Sequence, residues 1–138
     1  MFTPEHVQQA NAITAGTLME TLGIRFALAG DGALVATMPV GPAVHQPMGL
    51  LHGGATVALA ESLGSCGSYL VIDPGTQGVV GIEVNANHIK GVRSGSITAT
   101  GTLMHKGRST HVWDIRITDE EGALVALCRI TNLIITKR

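Results

Sequence analysis

Among the residues able to do chemistry, Glu61 is the most isolated. It is the single charged residue between Gly54 and Leu70, in a segment of small and apolar types, and no Lys or Arg occurs from Phe26 to His88. A carboxylate in such surroundings either takes a partner from elsewhere in the chain or has its pKa raised, and both outcomes are typical of catalytic acids and bases. The plainer reading is a solvated strip of a helix, or a Glu tied to a distant Arg. Its company favours chemistry. Ser65, four residues on, shares its helix face. Gln46 and His52 precede the segment, where polar side chains reach the mouth of a helix. Gly53 and Gly54 leave the first backbone N–H groups open, with no side chains over them. Such amides suit a developing oxyanion, and losing one donor of this kind costs about 3 kcal/mol of transition-state stabilisation. Close helix packing is the alternative use of that glycine pair.

Helix geometry constrains how these groups combine. Glu61 lies about 12 Å along the axis from Gly53, at 1.5 Å per residue. A reacting carbonyl sits roughly 3 Å from its oxyanion donor and close to the base. A Glu side chain cannot span that gap on its own helix. If both groups serve one site, two copies of the helix must pack antiparallel, and the active unit is a homodimer with two interfacial sites.

The elements that position these residues follow from periodicity. Pro4–Met19 reads as an amphipathic helix capped by Thr3, with Val7, Ala10, Ile13 and Thr14 on one face. Short strands Ile24–Leu28 and Ala33–Pro39 flank a Gly30-Asp31-Gly32 turn. The long helix spans about Gly54–Leu70 and ends before Asp73-Pro74-Gly75. Strands follow at Val79–Ile89, Ser96–Met104, Thr110–Thr118 and Leu124–Ile135, with clear alternation at His111/Trp113/Ile115/Ile117. This order predicts an α+β domain, residues 1–138, with a largely antiparallel sheet packed on one central helix and an N-terminal helix beside it. With 45% apolar and 14% charged residues, disorder is excluded.

Other chemistries fit poorly. The six histidines and two cysteines show no HExxH or paired CxxC spacing, so no metal is expected. Gly64-Ser65-Cys66-Gly67 is not a nucleophile elbow, because Leu63 stands where the first Gly belongs. Cys66 reads as a buried small hydrophobe, and Trp113, Tyr69 and Phe26 as packing residues. A net charge of −1 argues against a general nucleic-acid binder. That total hides an asymmetry: residues 1–89 sum to −5 and residues 90–138 to +4, so one half suits a small polyanion. No secretory signal and no run of the roughly 20 apolar residues needed for a membrane span occurs. A soluble protein of the reducing cytoplasm is expected.

The chain resembles the hotdog-fold acyl-CoA thioesterases, in the branch that carries a glutamate on the central helix and includes 4-hydroxybenzoyl-CoA and 1,4-dihydroxy-2-naphthoyl-CoA thioesterases. The likeness covers nearly the whole chain. It is most specific in His45-Gln46-Pro47-Met48-Gly49-Leu50-Leu51-His52-Gly53-Gly54 and Ala60-Glu61-Ser62, continues through Val80–His88, and is weaker over Leu103–Arg108. By position, the resemblance implies that Glu61 is the nucleophile or the general base, that Gly53 N–H is the oxyanion donor, that Gln46 and His52 polarise or orient the carbonyl, and that Ser65 holds water or substrate. It implies dimers with sheets joined edge to edge, and tetramers made of two dimers. Coenzyme A enters as part of the substrate, with no separate cofactor. Gly81, His88, Ile89, Lys90, Gly91 and Arg93, together with His105, Lys106, Gly107, Arg108, Ser109 and Thr110, are then expected along its path. Both basic segments are Gly-containing turns whose amides and cations can cradle phosphate. Solvated turns between strands are their ordinary role. Aryl-CoA esters are the first expectation for the substrate, by resemblance only. A hotdog acyl-CoA hydratase or dehydratase, and a non-catalytic CoA-binding module, are the competing functions; the module needs no carboxylate at position 61.

Overall fold

A computed structural model describes residues 2–138. The first helix, α1, runs Pro4–Ile13 and opens with a capping box: Thr3 Oγ1 accepts from His6 N–H while the His6 ring accepts from Thr3 N–H. The expected continuous helix to Met19 is broken. Thr14 Oγ1 donates to Asn11 O at 2.7 Å, and Thr17 Oγ1 donates to Thr14 O at 2.6 Å. Gly16 then turns the chain at φ +73°. Hydroxyls competing for helix carbonyls, followed by a residue free to adopt a left-handed conformation, end the first helix. Thr17 caps a short second helix, α2, Leu18–Thr21.

Strands β1 (Arg25–Leu28) and β2 (Leu34–Val40) precede a 3-10 turn at Pro42–Val44 and the long helix α3, Gly53–Leu70. Four longer strands follow: β3 Gln77–His88, β4 Gly95–Lys106, β5 Thr110–Thr118 and β6 Leu124–Thr136. All six form one antiparallel sheet in the order β1-β2-β4-β5-β6-β3. Alternation aims Ile97 and Ala99 of β4, Trp113, Ile115 and Ile117 of β5, and Cys128 and Ile130 of β6 at the core, where all are buried.

Small residues on α3 let the sheet close on it. A methyl group built on Gly67 would stand 2.6 Å from the Trp113 ring, and one on Gly64 would stand 3.2 Å from Ile130. Overpacking of this kind costs roughly 1–3 kcal/mol. The opposite outcome holds at the far edge. There β3 pairs with β6 alone, and Val80 and Ile82 remain 43% and 55% exposed. An edge strand this long with apolar side chains in solvent is an open pairing surface. No helix of the described residues is long and apolar enough to cross a membrane.

Candidate active site

One side of α3 carries Glu61, Ser62, Ser65 and Tyr69, each half-buried. With Ile13, Leu18 and Met19 from the N-terminal segment and Val79 from β3, they line a mostly apolar cavity of about 410 Å³. The Glu61 carboxylate meets no cation among the described residues, since both salt bridges lie elsewhere. Its close neighbour is Gly81: a Cβ at that position would lie 2.6 Å from Glu61 Oε1. The β3–β6 register shifts between Gly81 and Glu83, so a bulge sits beside the carboxylate. Gly81 thus stands with Glu61 rather than with the basic turns. Cys66 shares the cavity, but burial pushes its thiol up to about 12, and Cys128 rises to about 11 for the same reason. Neither thiol ionises near neutrality, so neither is an activated nucleophile.

At the start of α3 the amides are not all open. His52 is the N-cap, and its ring Nδ1 accepts from Gly54 N–H at 2.8 Å. This corrects the expectation that both glycine amides are open: an imidazole acceptor occupies one of them. Ala55 and Thr56 donate to His52 O, which leaves Gly53 N–H without a backbone or side-chain acceptor among the described residues. Gln46 Oε1 accepts from Met48 N–H, so its amide NH₂ points away as a donor. The His88 ring lies where a side chain on Gly53 would go, with Nε2 3.0 Å from the position of that Cβ. Gln46, Gly53, Thr56, His88 and Gly91 line a second cavity of about 290 Å³. The structure therefore groups Gln46 with Gly53, and Glu61 with Ser65, in two separate cavities of one chain.

Beneath Ser65 runs a buried polar chain that periodicity alone did not single out. Ser65 Oγ donates to Asn132 Oδ1 at 3.3 Å, and Asn132 Nδ2 donates to Gly64 O at 3.1 Å and Ser68 Oγ at 3.0 Å. Trp113 Nε1 donates to the same Ser68 Oγ at 2.9 Å, and His111 Nδ1 lies 3.0 Å from it. Trp113 is thus a packing residue that also spends its N–H. The signal was available: Asn132 falls in phase with Cys128, Ile130 and Ile134 on the inward face of β6, a polar residue at a core position.

The two basic turns differ. In the first, Lys90 is paired with Asp119, whose carboxyl is held below its usual range chiefly by that partner. Arg93 reaches Met48 O at 3.4 Å, and His45 Nε2 donates to Arg93 O at 2.7 Å, stitching the loops together. Ile89 and Gly91 are exposed. In the second, Gly107 N–H donates to Thr110 O at 2.8 Å, closing a turn that exposes His105, Lys106, Arg108 and Ser109. Lys106 and Arg108 are in neither salt bridge. No group of three or more His, Cys, Asp or Glu side chains able to hold a metal occurs among the described residues.

A six-stranded antiparallel sheet closed on one long helix, with an acid on that helix facing a cavity, is the hotdog architecture of thioester-cleaving enzymes. Residues 48–126, more than half of the chain, match the Thioesterase superfamily, and the chain belongs to that family. It is 45% identical over 129 residues to the 1,4-dihydroxy-2-naphthoyl-CoA hydrolase of Escherichia coli, covering 94% of each chain. It is 44% identical over 128 residues to the proofreading thioesterase EntH of Cronobacter turicensis, covering 93% of each. The crystal structure of a mutant thioesterase from Pseudomonas aeruginosa superposes with a TM-score of 0.91 at 47% identity, over 95% of this chain and 94% of that one. The chain is accordingly a thioester hydrolase.

Proposed function

We propose that residues 1–138 act as one domain that hydrolyses acyl-CoA thioesters, Glu61 serving as nucleophile or general base at the thioester carbonyl. The observation that carries this reading is the Glu61 carboxylate itself: half-buried, in a mostly apolar cavity, and in neither salt bridge. With Glu61 as nucleophile, its carboxylate displaces the CoA thiolate and water then cleaves the mixed anhydride. With Glu61 as base, water delivers its oxygen to the carbonyl carbon, the C–S bond breaks, and its electron pair leaves on the CoA sulfur. One water proton passes by way of the carboxylate to the departing thiolate. Gly53 N–H and the Gln46 amide are the donors available to the oxyanion, while His52 orients the helix entrance through its bond to Gly54. The reaction needs no cofactor beyond the CoA of the substrate.

The donors and the acid belong to different protomers in this reading. Two chains joined along their open β3 edges would cover Val80 and Ile82 and set α3 of one against α3 of the other. Pairs of these dimers then form a tetramer across the outer sheet face, where Met104 and Leu127 are 56% and 38% exposed. The CoA phosphates fall to Lys106 and Arg108, with Ser109 and Thr110 beside them, and the pantetheine arm passes His88–Gly91. The acyl group occupies the Glu61 cavity, whose walls suit an aromatic or medium-length apolar acyl chain. A reducing cytoplasm, where Cys66 and Cys128 persist as thiols, is the matching compartment.

The test follows thiol release from benzoyl-CoA with a thiol-reactive dye. Wild type is expected to release CoA. Glu61→Gln should keep its fold and lose about 10³ in kcat, within the range for a positioned acid–base group. Near-normal turnover by Glu61→Gln would overturn the assignment. Loss of an enoyl chromophore from crotonyl-CoA without thiol release would mark a hydratase instead.

A further inference from the structure

Asn132 is wholly buried, and both amide protons and the amide oxygen are hydrogen-bonded. Its hydrogen bonds have only one consistent direction. The Trp113 indole can only donate, and the Asn132 NH₂ donates, so both lone pairs of Ser68 Oγ are taken and its proton goes to His111 Nδ1. His111 is neutral in this arrangement; burial first, then the Lys106 and His105 charges, hold its pKa below the ordinary histidine value. The Asn132 amide cannot turn over, because its oxygen would then face the Gly64 carbonyl. Oδ1 is therefore fixed toward Ser65, and the Ser65 hydroxyl must donate inward.

We propose that Asn132 is a positioning residue for hydrolysis: by taking the Ser65 proton it turns the Ser65 lone pairs to the Glu61 cavity, where they accept a hydrogen bond from the attacking water. This rests on the general-base form of the Glu61 reading above. A serine free to rotate would donate to the carboxylate and occupy the lone pair the water needs. Held by Asn132, it leaves the carboxylate open, so one water proton faces Glu61, the other faces Ser65, and an oxygen lone pair faces the carbonyl. Placement agrees. Asn132 pairs with Gly81 across the sheet, and a Cβ built on Gly81 would lie 2.6 Å from Glu61 Oε1 and 3.7 Å from Asn132 Oδ1.

The test is a double-mutant cycle on benzoyl-CoA hydrolysis with Ser65→Ala, Asn132→Ala and the pair. Each single variant is expected to lower kcat about tenfold with KM near that of wild type, and the pair should be no slower than Ser65→Ala alone. Effects that multiply in the pair, or a fall in activity carried by KM, would show that Asn132 serves the fold only. Should Asn132→Ala not fold, Asn132→Asp keeps the shape: burial favours the protonated carboxyl, whose O–H donates to Gly64 O while its other oxygen accepts from Ser65. It is expected to retain at least about a third of wild-type kcat, and a loss as deep as that of Ser65→Ala would overturn the proposal. If Ser65→Ala is fully active while Glu61→Gln is dead, this inference falls and the Glu61 reading stands. If Glu61→Gln is active, the underlying reading falls first.

Discussion

The start and the middle of α3 are furnished as opposites. Its start offers donors, Gly53 N–H and the Gln46 amide, in a cavity of about 290 Å³. Its middle offers an acid and mostly apolar walls in a cavity of about 410 Å³. In the proposed reaction each supplies what the other lacks. Backbone rise separates them by about 12 Å, and no Glu rotamer closes that distance. If one site uses both, as proposed above, the reacting unit is larger than one chain.

The largest expected effect follows directly. Glu61→Gln spoils the acid half of a site, and Gln46→Ala weakens the donor half. Refolded together, the two variants are expected to form mixed dimers in which one of the two sites is intact. If the halves come from different protomers, the mixture should recover about a quarter of wild-type activity beyond what the parents retain, as random pairing and one good site per mixed dimer dictate. Recovery no greater than the sum of the parents would mean that each chain completes its own site.

How much of this was legible without coordinates depends on the range of the interaction. The strands announced themselves by their Val, Ile and Thr content and, in β5, by the alternation of a side that faces the core. The α3 segment did so by its small and apolar residues. The break after Ile13 was hidden, since Leu18 and Met19 continue the apolar pattern while the Thr14 and Thr17 hydroxyls undo the helix by local bonds that periodicity does not register. The occupied Gly54 amide was missed because histidine is not among the usual capping residues. Asn132 gave half a signal: its phase placed it inside, but its partners Ser65 and Ser68 are more than sixty residues away in the chain.

Gly81 shows why that distinction matters for chemistry. Resemblance places it on the CoA path, and geometry sets it against Glu61. Gly81→Ala would put a methyl 2.6 Å from Oε1 and push the carboxylate aside. A displacement near 1 Å at a reacting group costs about 100-fold, so kcat is expected to fall between about tenfold and 100-fold. The circular dichroism spectrum should remain that of wild type, because Gly81 is exposed and has no positive φ. Unchanged kcat would mean that the carboxylate acts from some other position.

The basic turns invite the same contrast at smaller scale. Lys90 is already satisfied by Asp119, with Glu121 adding to the acidic surroundings that raise its pKa. Arg108 is in neither salt bridge and sits beside Ser109 and Thr110. A solvent-exposed charge contributes up to about 1 kcal/mol to holding a phosphate, which is about fivefold in affinity. Arg108→Ala is therefore expected to raise KM for benzoyl-CoA about fivefold with kcat unchanged, and Lys90→Ala to raise it less than about twofold. The Arg108 effect should shrink in added salt. It should vanish with the benzoyl thioester of N-acetylcysteamine, which has the same reacting carbonyl and no nucleotide. A KM that rises equally for both thioesters would move Arg108 out of phosphate recognition, and a larger effect at Lys90 would reverse the ranking of the two turns.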